Sequence, residues 1–301
     1  MKKVLVITGP TAVGKSDAAV ELALKLNGEI ISGDSIQVYR GFDIGSGKIT
    51  EEEMRGVPHH NLDVLDPKKN YSVALFQKQA RAAIEEITAR GKLPILCGGT
   101  GLYLKACLYD YEFEQDSREL DLSPFEAMDN DALVAYLNEK DPESLKSIHP
   151  NNRKRLIRAC AIASTGTTKS ESIESQKKEM IYDVLLLGLT CERKVLHERI
   201  NLRVRKMQQK GLKCEMERLL NQGVTFDDQS MQGIGYREWR GYFEGNMSED
   251  EVIEAIQLHS RQFAKRQYTW FNNQFPVKWF DIFEENWKEN MEHCVKEWLH
   301  E

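Results

Sequence analysis

At 301 residues, with 41% hydrophobic and 29% charged content, the chain has the makeup of a globular protein able to bury a sizeable core. No apolar run approaches the roughly 20 residues of a membrane span. Six scattered cysteines carry no zinc-type spacing and suit a reducing compartment, so a cytoplasmic monomer is expected. The net charge of −6 excludes a uniformly basic nucleic-acid binder, but not one with local basic patches.

Lys3 to Thr8 (KVLVIT) is apolar on both faces and predicts a buried parallel strand. Gly9-Pro10-Thr11-Ala12-Val13-Gly14-Lys15-Ser16 follows and fits G-x-x-x-x-G-K-[ST], with a helix predicted from Asp17 to Leu26. In such a loop, glycines let backbone N–H groups surround phosphate oxygens, and the helix N-terminus adds positive potential. Lys15 reaches the phosphates and the Ser16 hydroxyl suits Mg²⁺. The motif specifies a polyphosphate, ATP and another diphosphate alike.

Glu29 to Ser32 predicts a second strand, ending at Gly33-Asp34. Asp34 is open to three readings: metal ligand, general base or helix cap. A strand-poor stretch runs to Pro67, in which adjacent His59 and His60 do not make a metal pair. Ser72 to Arg90 predicts an amphipathic helix with Val73, Phe76, Ala80, Ile84 and Ile87 on one face, capped by Ser72 and stopped by Gly91. Leu93 to Cys97 is a third buried strand, leading into Gly98-Gly99-Thr100, where Thr100 either caps the next helix or joins a metal shell. Ligands of open α/β sheets bind beyond the carboxyl ends of the strands, so these three strand ends should share a crevice.

From about Tyr111 to Lys178 the pattern changes to short helices with polar connections, and Thr165 to Glu179 reads as a polar loop. Asp183 to Leu189 returns to a buried strand. The expected organisation is an α/β fold in which a P-loop parallel sheet flanked by helices (1–112 and 182–301) carries a helical insertion (113–181). Between Ser144 and Cys160 lie five basic residues and no acidic one, and Arg193 to Lys213 is a second basic stretch. Arg155 and Arg158 are three apart and share a helix face; a solvated charged surface is the plain alternative. Two long helices are predicted, Glu192–Gln222 and Glu249–Asn273, then a strand at Val277–Phe280 and a terminal helix. Tyr268, Trp270 and Phe271 read as core aromatics or base-stacking residues.

Taken in order, GPTAVGKS (9–16), DSIQVYRGFDIGSGK (34–48), PHHNLD (58–63), YSVALF (71–76), PILCGGTGLYLKA (94–106), HPNNRKRLIRA (149–159), GLKCEM (211–216), GIGYRE (233–238) and RQFAKRQYTWF (261–271) closely resemble the tRNA dimethylallyltransferase (isopentenyltransferase) family. The resemblance implies transfer of dimethylallyl from dimethylallyl diphosphate to the exocyclic N6 amine of the adenine 3′-adjacent to the anticodon. It also implies that the helical insertion grips the anticodon stem-loop of tRNA. Carried onto this chain, Asp34 takes the proton from the attacking amine, with Thr100 beside it. Gly9 to Ser16 and Arg203 hold the diphosphate, and Ser16 and Thr100 face Mg²⁺. RNA contacts are implied at Asp34, Ser35, Ile36, Gln37 and Thr100, at Lys154, Arg155, Leu156, Ile157 and Arg158, at Gln232, Gly233, Ile234, Gly235, Tyr236 and Arg237, and at Lys265, Arg266, Gln267 and Tyr268, running on to Asn272. The family's frequent Thr-Ala-Lys-Pro is Ser46-Gly47-Lys48-Ile49 here, Asn272 replaces a frequent arginine, and the tail lacks the cysteines of the eukaryotic zinc finger, a bacterial pattern. Competing readings are a P-loop small-molecule kinase and a non-catalytic RNA-binding P-loop protein.

Overall fold

The structure is a computed structural model that describes residues 1–110, 120–166 and 179–300; most of the predicted polar loop at 165–179 lies outside them. The chain divides into two compact units, Met1–Leu108 with Ile181–Glu301, and Tyr109–Met180.

The larger unit is built on six parallel strands in the order β3-β2-β4-β1-β5-β6. They are β1 (Lys3–Thr8), β2 (Gly28–Ser32), β3 (His59–His60), β4 (Leu93–Cys97), β5 (Asp183–Thr190) and β6 (Lys278–Asp281). Helices α1 (Lys15–Leu26), α2 (Val73–Ala89) and α3 (Gly101–Leu108) connect the first strands. A sheet covered on both faces needs strands that are apolar throughout, which is why Val4 to Ile7 are fully buried. The carboxyl ends of β1, β2 and β4 are stitched side by side: Gly33 N donates to Cys97 O at 2.7 Å, and Gly98 N donates to Ile7 O at 3.1 Å.

Several local expectations are met. Ser72 caps α2 by accepting from Leu75 N at 3.1 Å, and Phe76, Ala80, Ile84 and Ile87 form its buried face. Helix α1 starts at Lys15 rather than Asp17, so the lysine and serine of the phosphate loop belong to the first helical turn. The predicted helix 192–222 is two helices, α6 (Arg193–Gln209) and α7 (Leu212–Asn221). Gly211 breaks it with φ +94°, a conformation that costs a residue with a Cβ. The last helices are α8 (Glu249–Gln274) and α9 (Trp287–His300).

Strand β3 sits at the sheet edge in the stretch expected to be strand-poor. Its His60 is structural: Nε2 lies 2.7 Å from Glu29 Oε2, which also accepts from Arg90 Nη2 at 2.6 Å, while Lys92 Nζ donates to Oε1 at 2.9 Å. Burial alone would raise the Glu29 pKa, but the hydrogen bonds from Lys92, His60 and Arg90 bring it down to about 2. A depressed carboxylate stabilises the fold above its unfolded pKa and loses that contribution as pH falls through the folded value. Glu29→Gln should therefore cost roughly 1–3 kcal/mol at neutral pH. In thermal melts its deficit against wild type should shrink as pH drops from about 4.5 toward 2; a deficit constant with pH would contradict this.

The smaller unit carries its own core, with Phe125, Leu133, Leu137, Ile148, Leu156 and Cys160 among its members. Helices α4 (Asn130–Lys140) and α5 (Arg153–Ser164) supply most of it. Lys154, Arg155 and Arg158 are exposed on α5, whereas Leu156 is fully buried in that core and Ile157 packs against it. Within the implied run of RNA contacts, the helix turns every third or fourth residue inward, so Leu156 packs in the core while Lys154, Arg155 and Arg158 face outward.

Candidate active site

Two adjoining cavities open at the carboxyl end of the sheet, of about 450 Å³ and about 300 Å³. The smaller is lined by Gly14, Lys15, Ser16, Gly98, Gly99 and Arg199, the larger by Ile36, Tyr39, Thr100, Tyr103, Gln232 and Arg237. Thr11, Ala12, Asp34, Ser46, Arg203 and Phe263 line both, so the wall between them is where the phosphate loop meets Asp34.

The smaller cavity gathers three basic side chains, Lys15, Arg199 and Arg203, and its lining also holds the carboxylates Asp17, Asp34 and Glu53. Lys15 Nζ donates to Pro10 O at 2.8 Å, inside its own loop. Burial lowers the Lys15 pKa to about 8; the fields of Cys97 and Asp34 oppose that fall and the guanidinium of Arg203 adds to it. Burial also lowers the Arg203 pKa, with Asp34 opposing. Arg203 donates from Nη1 to Thr11 Oγ1 at 2.7 Å and from Nη2 to Ser46 O at 3.2 Å, while Arg199 Nε donates to Ala12 O at 3.0 Å. Arg199 was not singled out from the sequence; it is four residues from Arg203 on one face of α6, and that spacing is the signal that could have found it. The nearby Cys97 thiol is pushed by burial up to about 11, which keeps it in its unreactive neutral form.

Asp34 follows β2 and lies between the cavities. Its Oδ1 accepts from Ile36 N at 2.8 Å and Gln37 N at 3.2 Å; no helix begins here, so in place of the helix cap the oxygen holds a local turn. Those two bonds aim the carboxyl group rather than consume it, because a carboxylate has about four acceptor sites. Ser35, Ile36 and Gln37 are half-buried beside it, and Gln37 Nε2 reaches Gly47 O at 3.4 Å.

The loop carrying Gly45 and Ser46 is held by Glu215, which sequence reasoning missed. This buried carboxylate accepts from Asp43 N at 3.1 Å, Ile44 N at 2.7 Å and Gly45 N at 3.1 Å. Tyr236 OH donates to Glu215 at 2.8 Å and accepts from Ser46 N at 2.9 Å. Burial and the adjacent Glu215 hold the tyrosine well above its ordinary pKa.

Four of the residues implied as RNA contacts in this unit, Gly235, Tyr236, Gln267 and Tyr268, are buried or hydrogen-bonded within the protein. Tyr236 is fully buried with its hydroxyl engaged by Glu215 and Ser46, and Gly235 is buried beside it. Tyr268 is hydrogen-bonded to Thr190 at 2.8 Å and packs on Trp279. Gln267 is buried between two loops of the site. Gln232, Arg237, Lys265 and Arg266 are exposed, and Gly233 and Ile234 are half-exposed. Trp270 and Phe271 are packing residues, with Phe271 fully buried and Trp270 lying over Gly101.

Val13 is buried in the core below the loop, and the Thr11 N–H and hydroxyl are both engaged within the protein. Hard oxygen donors stand in this region: the Ser16 hydroxyl and Asp34 carboxylate in the smaller cavity, and the Thr100 hydroxyl in the larger. Among the described residues no group of three or more His, Cys, Asp or Glu forms a self-sufficient metal cage. That donor set suits Mg²⁺ held jointly by a hydroxyl and substrate phosphates. Also among the described residues, no helix is long and apolar enough to cross a membrane.

Comparison with known proteins gives one consistent result. A family model described as IPP transferase matches residues 37–274, and one described as isopentenyl transferase matches residues 2–70. The chain is 48% identical over 301 residues to the tRNA dimethylallyltransferase of Anoxybacillus flavithermus, covering 99% of this chain and 96% of that one. It is 50% identical over 287 residues to that of Bacillus cytotoxicus, covering 93% and 90%. Among solved structures it is similar to the tRNA delta(2)-isopentenylpyrophosphate transferase of Staphylococcus epidermidis, with TM-score 0.74, 43% identity and coverage of 100% and 99%. It is also similar to a eukaryotic dimethylallyltransferase acting on tRNA, with TM-score 0.85, 30% identity and coverage of 100% and 80%.

Proposed function

The chain belongs to the IPP transferase family of tRNA prenyltransferases, and from that premise we propose the full reaction and the role of each residue. A dimethylallyl group passes from dimethylallyl diphosphate to the N6 amine of the adenine 3′-adjacent to the anticodon, and diphosphate leaves. The observation that carries this reading is the placement of Asp34 in the wall shared by a phosphate-loop cavity and a second cavity of about 450 Å³, a size typical of small-ligand sites.

An adenine amine is a weak nucleophile because its lone pair is delocalised into the ring. As the new N–C bond forms, the nitrogen becomes acidic, and Asp34 accepts its proton. The bond from the allylic carbon to the diphosphate oxygen breaks at the same time. The leaving charge falls on loop amides, Lys15, Arg199 and Arg203, which are already in place. The Ser16 hydroxyl would hold Mg²⁺ together with the phosphates, with the Thr100 hydroxyl as a further candidate donor, and the ion would supply further neutralisation of the leaving group. Phe263, shared by both cavities, offers a ring face to the base or the prenyl chain.

The adenine must leave its stack to enter, at a cost of a few kcal/mol that contacts elsewhere on the RNA offset. Arg237, Lys265 and Arg266 serve that purpose in the larger unit, and Lys154, Arg155 and Arg158 in the smaller. Anticodon-loop bases are favourable targets because they lie outside the duplex. A kinase built on the same loop would transfer a phosphoryl group and give no role to Asp34 facing the second cavity.

Purified protein with Mg²⁺, dimethylallyl diphosphate and unmodified tRNA should yield prenylated adenosine in nuclease digests read by mass spectrometry. Absence of that nucleoside with every tRNA carrying adenine at this position would defeat the proposal.

A further inference from the structure

Gln267 lies on α8 with only 5% of its surface exposed, between the phosphate loop and the Gly98–Thr100 loop, both of which line the smaller cavity. Its Oε1 accepts from Thr11 N at 2.9 Å, and its Nε2 donates to Gly99 O at 3.0 Å. One amide thus ties the phosphate loop to the Gly98–Thr100 loop, using its acceptor on one side and its donor on the other. The fit at residue 99 is close: a Cβ there would run into the Gln267 amide nitrogen and displace the amide from its two partners. The helix under it is firmly seated, because Ala264 and Phe271, on the same face, are buried at 1% and 0% exposure.

We propose that Gln267 is a positioning residue, setting the separation between the phosphate cradle and the loop that carries Thr100. By that route it sets the distance over which the allylic carbon meets the acceptor amine. The proposal rests on the prenyl-transfer reading. It gives this side chain, which has a protein partner on each side of its amide, a role within the protein in addition to lining the smaller cavity. Near-attack geometry is sensitive to shifts of about 1 Å, which cost on the order of 100-fold in rate, and a buried amide fork on a rigid helix restrains shifts of that size.

Two variants test it, each with dimethylallyl diphosphate, Mg²⁺ and tRNA. Gln267→Leu removes both hydrogen bonds and should lower kcat about 100-fold, with tRNA affinity and its KM within about three-fold of wild type. Gln267→Glu keeps the shape. Its ionised form accepts from Thr11 N–H but cannot donate to Gly99 O, whereas its protonated form does both. The ratio of its kcat to that of wild type should therefore rise as pH is lowered from about 8 to about 5.5. That ratio is read within one folded variant, so it stands even if Gln267→Leu proves unstable.

Turnover of Gln267→Leu within about three-fold of wild type would overturn the proposal. So would a flat pH ratio for Gln267→Glu, or tRNA affinity falling in parallel with turnover. If wild type forms no prenylated adenosine, the reaction assignment fails instead. The loop claim is then read from calorimetry with inorganic diphosphate, whose affinity should fall about ten-fold in Gln267→Leu and is unchanged if the claim is wrong.

Discussion

Asp34→Asn should lower single-turnover prenyl transfer by about 10²–10⁴-fold, the range of a lost general base, while tRNA affinity stays within about three-fold. The substitution is chosen because asparagine keeps an oxygen that can accept from Ile36 N and Gln37 N, the two bonds that shape the turn after β2. What it removes is the charge and the ability to take a proton. The same charge raises the pKa of both Lys15 and Arg203 and also repels a bound diphosphate, so its removal bears on diphosphate binding rather than on RNA binding. Rapid-quench measurement of the chemical step and filter binding of tRNA separate the two effects. Equal losses in both would mean that Asp34 recognises RNA and does not act in the transfer.

Lys15→Met should reduce kcat/KM for dimethylallyl diphosphate by about 10²–10³-fold, the usual cost of removing one strong donor from a developing anion. A pH effect accompanies it. Lys15 in the free protein has a pKa of about 8, set first by burial. A bound diphosphate favours the ammonium form, so the pKa is higher in the complex than in the free protein. Binding then takes up a proton, and affinity falls as pH rises through about 8, by up to ten-fold per unit. Calorimetry between about pH 6.5 and 9.5 should show that decline in wild type and a flatter profile in Lys15→Met. Affinity that rises with pH, or an unchanged profile in the variant, would remove Lys15 from the cradle.

The parts of this architecture that were legible in the sequence are those governed by short-range rules. Val4 to Ile7 and Leu93 to Leu96 are apolar throughout because both faces of a parallel sheet are covered, and the glycines of the phosphate loop mark its turn. Ser72 announced the start of α2 through its side-chain cap. The break at Gly211 was harder, since apolar periodicity continues across it and only the left-handed backbone betrays it. Two-residue β3 owes its existence to pairing with Ile30 and Ile31 and not to any propensity of His59 or His60.

The site was legible where one residue type carries the chemistry, and obscure where tertiary packing decides. Glu215 reads as one more acid on an amphipathic helix. Its role depends on three N–H groups about 170 residues earlier in the chain, at Asp43, Ile44 and Gly45. Contiguous motif blocks hide the complementary effect. Leu156 sits between exposed Arg155 and half-buried Ile157, and Gln267 follows exposed Arg266, yet helical periodicity turns both inward. A motif names a stretch of chain, and the helix then sorts its members between surface and core.

The central claim is that one carboxylate and one phosphate cradle serve the same reacting centre. A crystal structure with an unreactive diphosphate donor analogue and an anticodon stem-loop tests it most directly. The account predicts an Asp34 oxygen within about 3.2 Å of the adenine N6, hydrogen-bonding reach for a general base. It also predicts the diphosphate on Lys15 and the allylic carbon about 3–3.5 Å from the same nitrogen. An adenine bound away from Asp34, or a donor whose diphosphate lies outside the Gly9–Ser16 loop, would contradict it.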